Sequence, residues 1–199
     1  MKELFLSIFS FLYGSIPFGF LICKYRLGVD IRKMGSGNIG TTNVMRIAGP
    51  ITGLIVLILD ASKGVIPVLI AKSLAFSPTW VVIVGLLAVC GHIFSPFLRF
   101  KGGRGVATGL GLVIGIAPQI ALILLLIWGV VVLFTRYVSI ASLTSAFAFP
   151  ILMAFTHQPL PYLLISLIIS VLVIIRHKPN IERLLAGKEH KLGEKVKPK

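Results

Sequence analysis

The amino-acid sequence predicts an all-α fold, a polytopic membrane helical bundle with about seven transmembrane helices. Hydrophobic residues make up 56% of the 199 residues, charged residues only 13%, and the mean hydropathy is +0.99. A soluble domain of this size is about one-quarter charged, so lipid is the expected solvent for much of the surface. The length suits one domain, and we expect residues 1–199 to form a single integral membrane unit.

Apolar runs along the chain define the expected spans, because a spanning helix needs about 20 apolar residues. Clear runs cover residues 4–23, 51–71, 79–98, 138–155 and 160–175. A further run, residues 106–134, would be about 42 Å long as one helix, whereas the hydrocarbon core is about 30 Å thick. Pro118 lies inside this run, so we expect two short helices joined by a tight turn there.

The distribution of basic residues sets the expected orientation. Seven spans place the chain ends on opposite sides, and the tail 176–199 carries eight Lys and Arg. Basic residues collect on the cytoplasmic side, so we expect a cytoplasmic C-terminus and an external N-terminus. Residues 24–46, 99–105 and the surroundings of Arg136 then also face the cytoplasm, while the loops at 76–78 and 157–161 contain no Lys or Arg.

The net charge of +14 restricts the partners. In a soluble protein it would suggest nucleic acid, but in a membrane protein basic cytoplasmic loops account for it. We therefore expect anionic lipid headgroups or phosphorylated ligands, and no nucleic acid. Cys23 and Cys90 lack metal-ligand spacing, so neither a metal site, a disulfide nor a cofactor is expected.

The first of three polar clusters is a glycine-rich loop, residues 34–46, that ends in Arg46. Glycines let a ligand approach the backbone closely, and exposed N–H groups can form an anion-binding concavity. A flexible loop with helix caps is the alternative. The density of Gly, Asn and Thr beside an arginine favours a binding function.

The second cluster, residues 100–108, reads Phe-Lys-Gly-Gly-Arg-Gly-Val-Ala-Thr and opens the fourth expected helix. A helix N-terminus attracts phosphate, and Lys101 and Arg104 would add charge-assisted hydrogen bonds. It is not a Walker A motif, because the spacing differs and no strand precedes it. A basic cytoplasmic turn is the alternative, and it suffices for Arg99.

The third cluster, residues 176–189, follows the last span on the same side. His177 could donate a hydrogen bond or carry a proton, and Pro179 suits the start of a helix. Glu182 pairs with Arg183 or Arg46 in one interpretation and is solvated in the other. By itself this segment would be interpreted as an anchoring tail.

Polar residues within the spans are candidates for function by default. Asp60 and Lys63 lie three residues apart on one helix face, where they can neutralise each other, so a structural ion pair is at least as good an explanation as catalysis. His92 is interpreted as a packed histidine. Ser139 and Ser142 open the sixth helix, where each either lines a pocket or caps the helix.

Glycines repeat at four-residue spacing in the fourth expected helix, as Gly105 and Gly109 and again as Gly111 and Gly115. Such pairs let helix backbones approach closely. Packing alone explains the glycines from Gly109 to Gly115.

Taken together, these motifs resemble the bacterial membrane glycerol-3-phosphate acyltransferases that use acyl phosphate as donor. The resemblance spans nearly the whole chain, and the motifs occur in the family's order. They are Gly14-Ser15-Ile16-Pro17, the loop 35–46, Asp60-x-x-Lys63-Gly64, residues 91–108, residues 137–142 and residues 176–189. The chain departs from the family pattern at Arg104, which replaces a lysine, and at Pro179, which replaces a polar residue; both changes leave the charge of the loop intact.

The resemblance implies transfer of the acyl group from acyl phosphate to the 1-hydroxyl of sn-glycerol 3-phosphate. The products would be lysophosphatidate and phosphate, at the first step of bacterial phospholipid synthesis. The enzyme would use neither acyl-CoA nor acyl carrier protein directly. We expect a multi-pass monomer in the bacterial inner membrane, with the active site facing the cytoplasm.

Site residues are assigned from the matching motifs. The catalytic assignments are Ser36, Lys101 and His177. The substrate- and phosphate-binding assignments are Gly37, Asn38, Thr41, Asn43, Arg46, Gly102, Gly103, Arg104, Gly105, Ser142 and Asn180. No carboxylate base is evident, so a substrate phosphate oxygen, whose second pKa lies near 6, is the expected acceptor of the hydroxyl proton.

Two other functions compete with this one. A phosphoanion transporter would favour internal repeats and binding groups near the bilayer midplane, whereas the polar clusters here lie at one face. A non-catalytic lipid-binding protein would use the basic face only to attract anionic lipid.

Overall fold

The computed structural model describes residues 1–194, and in that range the chain forms ten α-helices and two short 3-10 turns without any β-strand. The helices in chain order are α1 (Lys2–Ser15), α2 (Phe18–Leu27), α3 (Thr41–Ala48), α4 (Pro50–Ser73), α5 (Pro78–Ile93), α6 (Val106–Ile116), α7 (Pro118–Thr135), α8 (Val138–Phe155), α9 (Leu160–Arg176) and α10 (Lys178–Leu185). The all-α prediction is confirmed.

Four segments of the described chain are long and apolar enough to cross a membrane, namely α4, α5 with its following turn, α7 and α8. The bent pairs α1 with α2 and α9 with α10 raise the number to six if each pair is one span. The apolar helix α6 has eleven residues, about 16 Å of helix, which falls short of a core about 30 Å thick. The chain is therefore a helical membrane bundle with four to six candidate spans.

Proline positions explain where the helices break. The expected helix over residues 4–23 is wrong in detail, because α1 ends at Ser15, α2 begins after Pro17, and their axes differ by 40°. Pro17 has no N–H group to continue the ladder of hydrogen bonds. The division at Pro118 is confirmed: α6 ends at Ile116, and Pro118 occupies the first turn of α7, where its missing N–H costs nothing.

Glycines bring two helix pairs into close contact and thereby position α6. A Cβ atom on Gly64 of α4 would overlap the backbone of Thr108, and one on Gly111 of α6 would overlap the Ala61 carbonyl. Gly14 of α1 lies equally close to the α5 backbone. Small residues allow such backbone approach between membrane helices. The N-terminal end of α6 is thus held firmly against α4, and α7, α8 and α9 complete the wall around it.

Candidate active site

A cavity of about 520 Å³ opens among the helices from α3 to α10. One end is polar and is lined by Ser36, Asn38, Thr41, Asn43, Arg46, Arg104, Ser139, Ser142, His177, Asn180 and Glu189. The other end is apolar and is lined by Leu57, Val106, Leu110, Val113, Leu124, Leu125, Trp128, Phe149, Ile169 and Val173. The cavity therefore brings all three polar clusters of the sequence together beside an apolar chamber.

Asn43 holds the first cluster in shape. Its side-chain amide donates to the carbonyls of Met34 at 3.1 Å and Asn38 at 2.8 Å, and its carbonyl accepts the N–H of Ser36 at 3.0 Å. The residue is 2% exposed. These contacts occupy both ends of its amide and make it a brace that positions Ser36 and Asn38. Asn43 also lines the cavity, and its binding of substrate stays a prediction.

Gly37 also has a structural rather than a binding role in this loop. It does not line the cavity, its N–H donates to the Met34 carbonyl at 2.9 Å, and its φ is +73°. Only glycine adopts that left-handed conformation without strain. The structure thus places Gly37, an expected phosphate-binding residue, in a turn outside the cavity lining.

Two helix N-termini point into the polar end. Gly40, Thr41 and Thr42 at the start of α3 line the cavity, as do Gly105 and Val106 at the start of α6. The first N–H groups of a helix have no partner within the helix, and the positive end of the helix dipole favours anions. The cavity therefore offers two separate positions suited to phosphate.

Two backbone amides of the second cluster are hydrogen-bonded within the protein. The N–H of Gly102 donates to the Ile93 carbonyl and that of Gly103 to the His92 carbonyl, both at 3.0 Å. Arg176 in turn donates to the carbonyls of Gly102 and Gly103. These two glycines therefore fix the loop against α5 and α9, and their amides are not free to hold phosphate.

Lys101 and Arg104 are separated by the fold of this loop. The side chain of Lys101 is exposed and does not line the cavity, whereas Arg104 and Gly105 do. Arg99 and Phe100 before it adopt positive φ values of 52° and 62°, and this sharp turn leaves Lys101 outside. The structure thus places Lys101, an expected catalytic residue, outside the cavity, where Arg104 supplies the charge of this cluster.

The third cluster places His177 and Asn180 at the cavity wall, 1% and 2% exposed. The Nδ1 atom of His177 lies 2.8 Å from the Val173 carbonyl; a carbonyl can only accept, so Nδ1 carries the proton and the neutral ring offers Nε2 as an acceptor. Asn180 donates to Glu189 at 2.6 Å. Glu189 also receives a hydrogen bond from Arg183 at 2.7 Å.

Glu189, rather than Glu182, is the acid of this cluster. Burial raises the pKa of the Glu189 carboxyl, but hydrogen bonds from Asn180 and Arg183 outweigh burial, and the pKa lies below its ordinary value. Glu182 is exposed. Glu189 lies after α10 in the sequence, near the C-terminal tail. It reaches the cavity only because the chain turns back after α10.

The polar end carries a surplus of positive charge. Burial, together with the neighbouring charge of Arg183, lowers the pKa of Arg104 from 12.5 to about 10. Burial likewise lowers the pKa of Arg46, whose Nη2 donates to the His190 carbonyl at 3.1 Å. A lowered arginine pKa means that too little negative charge or hydrogen bonding nearby stabilises the charged form. A bound anion would supply that stabilisation.

Several buried polar atoms at this end have no hydrogen-bond partner within residues 1–194. They are Oγ1 of Thr41, Nε of Arg46, Oγ of Ser139 and Oδ1 of Asn180. Buried polar groups in folded proteins are nearly always paired. Four unpaired groups around one cavity therefore indicate a polar ligand.

Asp60, Lys63 and His92 form an ion cluster beside the cavity, and the sequence alone did not place it there. Lys63 donates to Asp60 at 2.6 Å, and Nδ1 of His92 lies 3.4 Å from Nζ of Lys63. The expected Asp60–Lys63 pair is confirmed, and Asp60 and His92 also line the cavity. The sequence signal for this contact was the position of these polar residues within expected membrane spans. Residues 1–194 contain no group of three His, Cys, Asp or Glu side chains arranged to hold a metal ion.

Ser142 lies on the cavity-facing side of α8. Its Oγ donates to the Val138 carbonyl at 2.9 Å and lies 3.4 Å from Nε1 of Trp128, which donates to it. Ser142 therefore lies where the polar end meets the apolar chamber, next to Trp128 of the apolar wall.

Comparison with known proteins agrees with this site. The family model described as "Glycerol-3-phosphate acyltransferase" matches residues 4–187. A relative from Moorella thermoacetica, named glycerol-3-phosphate acyltransferase 2, is 47% identical over 94% of this chain and 96% of its own. The glycerol-3-phosphate acyltransferase of Aquifex aeolicus is 45% identical over 96% of this chain and 100% of its own.

Solved structures give the same result. A crystal structure of PlsY, an integral membrane glycerol 3-phosphate acyltransferase in its glycerol 3-phosphate form, is 44% identical with a TM-score of 0.93 over 97% of this chain and 96% of that chain. Its lysophosphatidic acid form is 43% identical with a TM-score of 0.90. The transporter and the non-catalytic lipid-binding hypotheses are set aside. The chain belongs to the glycerol-3-phosphate acyltransferase family and is a membrane acyltransferase.

Proposed function

We propose that this enzyme transfers the acyl group of acyl phosphate to the 1-hydroxyl of sn-glycerol 3-phosphate, the first step of bacterial phospholipid synthesis. One observation carries the proposal: a single cavity joins a basic end containing two helix N-termini to an apolar chamber. Both substrates carry phosphate, and the donor also carries a fatty chain. A site for both must combine these two surfaces.

The polar end holds the phosphates. Arg46 with the start of α3 and Arg104 with the start of α6 provide two anion positions. Charge-assisted hydrogen bonds from arginine to phosphate are among the strongest available. Ser36, Asn38 and Thr41 orient the reacting groups, while Ser142 and Asn180 contact substrate at the cavity wall.

The reaction needs little nucleophilic machinery, because acyl phosphate is a mixed anhydride. The 1-hydroxyl oxygen forms a bond to the acyl carbon, the bond from that carbon to the phosphate oxygen breaks, and inorganic phosphate leaves. The hydroxyl proton goes to a substrate phosphate oxygen, and His177 contacts the substrate through Nε2. Positioning and charge stabilisation supply the rate.

The proposal includes the orientation of the chain in the membrane. Seven crossings, with α6 and α7 as a divided pair, place the N-terminus outside and the C-terminus in the cytoplasm, because the basic residues then share one side. We place the enzyme in the bacterial inner membrane as a monomer with one domain, its active site facing the cytoplasm. Lysophosphatidate would then be released at the inner leaflet.

Purified protein mixed with palmitoyl phosphate and glycerol 3-phosphate tests the reaction. We expect phosphate release in step with lysophosphatidate, and none when either substrate is omitted. Ser36→Ala should nearly abolish turnover, whereas Ser73→Ala, at an exposed serine that ends α4, should not change it. Turnover with palmitoyl-CoA alone, or full activity of Ser36→Ala, would contradict the proposal.

Single cysteines introduced at Lys101 and Ser77, in a variant lacking Cys23 and Cys90, test the orientation. An impermeant thiol reagent should label position 101 only from the cytoplasmic side and position 77 only from outside. Labelling of both positions from one side would refute seven crossings.

A further inference from the structure

His92 lies between the ion cluster and the loop that carries Arg104. Its side chain is 4% exposed. The Nδ1 atom faces the cluster, 3.4 Å from Nζ of Lys63 and 3.7 Å from Oδ1 of Asp60. Because the lysine ammonium can only donate, Nδ1 is the acceptor of this contact, which orients the ring.

The opposite edge of the His92 ring packs on Gly103. A Cβ atom added to Gly103 would overlap Nε2 of His92, and its next nearest neighbours would be Cε1 and Cδ2 of the same ring. Gly103 has no positive φ, so a left-handed backbone is not the reason for a glycine here. The imidazole itself leaves no room for a side chain at this position.

The backbone of Gly103 is also held by two hydrogen bonds. Its N–H donates to the His92 carbonyl at 3.0 Å, and its carbonyl accepts from Nε of Arg176 at 3.3 Å. His92 therefore contacts Gly103 both through its ring and through its backbone.

The ion cluster holds the chain on the other side of Arg104 as well. Oγ1 of Thr108, in the first turn of α6, donates to the backbone carbonyl of Asp60 at 2.9 Å. Arg104 thus leaves the backbone between two points, Gly103 and Thr108, that are both fixed to residues of the ion cluster. Its side chain then enters the polar end of the cavity.

We propose that His92 is a positioning residue of the active site, which holds Gly103 in place and thereby directs Arg104 at a substrate phosphate. The inference rests on the proposed function, because it takes Arg104 to bind phosphate. The packing that the sequence predicted for His92 is the means by which it acts.

A double-mutant cycle between His92→Ala and Arg104→Ala tests the inference. Phosphate release from palmitoyl phosphate and glycerol 3-phosphate gives kcat/KM per amount of folded protein. With Arg104 present, His92→Ala should lower kcat/KM by at least about tenfold, because a misplacement of about 1 Å can cost about 100-fold. In the Arg104→Ala background it should change kcat/KM by less than about twofold, since the group that His92 positions is gone.

A second readout is the substrate affected. The substrate whose KM rises in Arg104→Ala should be the one whose KM rises in His92→Ala. A rise confined to the other substrate would mean that His92 does not act through Arg104, and it would overturn the inference.

Ser10→Ala is the matched control, because it also removes a buried contact of α5. Oγ of Ser10 donates to the Val84 carbonyl at 2.6 Å, and neither residue lines the cavity. Ser10→Ala should leave kcat/KM per folded protein unchanged in both backgrounds.

The outcomes separate the inference from the proposed function. Equal losses from His92→Ala in both backgrounds, or no loss in either, overturn the inference and leave the proposed function standing. If folded Arg104→Ala keeps the kcat/KM of wild type, that anion position of the proposed function fails, and the inference fails with it. If His92→Ala does not fold, His92→Asn decides in the same cycle, since its Oδ1 can replace Nδ1 toward Lys63 while the ring edge on Gly103 is lost.

Discussion

Arg104→Ala removes the positive charge that the second cluster contributes to the cavity. The guanidinium lines the polar end, and burial with the nearby charge of Arg183 holds its pKa at about 10. The charged guanidinium therefore has too few hydrogen-bonding or anionic neighbours, and a bound phosphate would supply them. Lys101, three residues earlier, has an exposed side chain outside the cavity.

The expected magnitude follows from two effects. A hydrogen bond to a charged group contributes about 1.5–3 kcal/mol, and two unit charges about 4 Å apart near a protein surface attract by about 4 kcal/mol. Water that enters the truncated site recovers part of this, so we expect a loss of about 3 kcal/mol in transition-state binding. This is a fall of about 150-fold in kcat/KM, because about 1.36 kcal/mol is tenfold.

Phosphate release measured against each substrate gives kcat/KM for Arg104→Ala, Arg104→Lys and Lys101→Ala. Arg104→Lys should retain much activity, because it keeps the charge and loses only the planar fork. Lys101→Ala should resemble wild type. The reasoning is refuted if Lys101→Ala loses as much activity as Arg104→Ala, or if folded Arg104→Ala keeps full activity.

Three further predictions concern stability, measured by thermal unfolding in detergent. Glu189→Gln should cost about 2 kcal/mol at pH 7, since it weakens hydrogen bonds to a charged group. Because the pKa of Glu189 is lowered in the fold, its contribution is complete above the unfolded pKa of about 4.5 and is lost as the pH falls through the lower folded value. A stability gap that does not shrink as the pH falls below about 4.5 would contradict this. Gly111→Ala should destabilise by about 1–3 kcal/mol through overlap with the Ala61 carbonyl, while Gly129→Ala, in open space, should not. Asp60→Asn should cost about 3–5 kcal/mol by leaving Lys63, 1% exposed, without its anion, and a double variant with Lys63→Met that recovers no stability would argue against an uncompensated charge.

The sequence identified the segments that form the cavity, but not the hydrogen bonds made within them. The segments around Ser36, Arg104 and His177 do meet at one cavity. Within them, Asn43 braces a loop, and the amides of Gly102 and Gly103 are bound to α5 carbonyls. Hydrogen-bond partners distant in the chain decide such roles, and residue type alone does not reveal them.

The sequence by itself determined that lipid surrounds much of the surface, which segments are apolar, and that a helix breaks at Pro118. Hydropathy and the missing proline N–H are properties of the local sequence. Only the tertiary structure decided which charge enters the cavity, Arg104 or Lys101, and which glycine of α6 packs against α4 or lines the cavity. Side-chain direction depends on how helices from distant parts of the chain pack, and a shift of two residues along α6 separates Gly109 from Gly111.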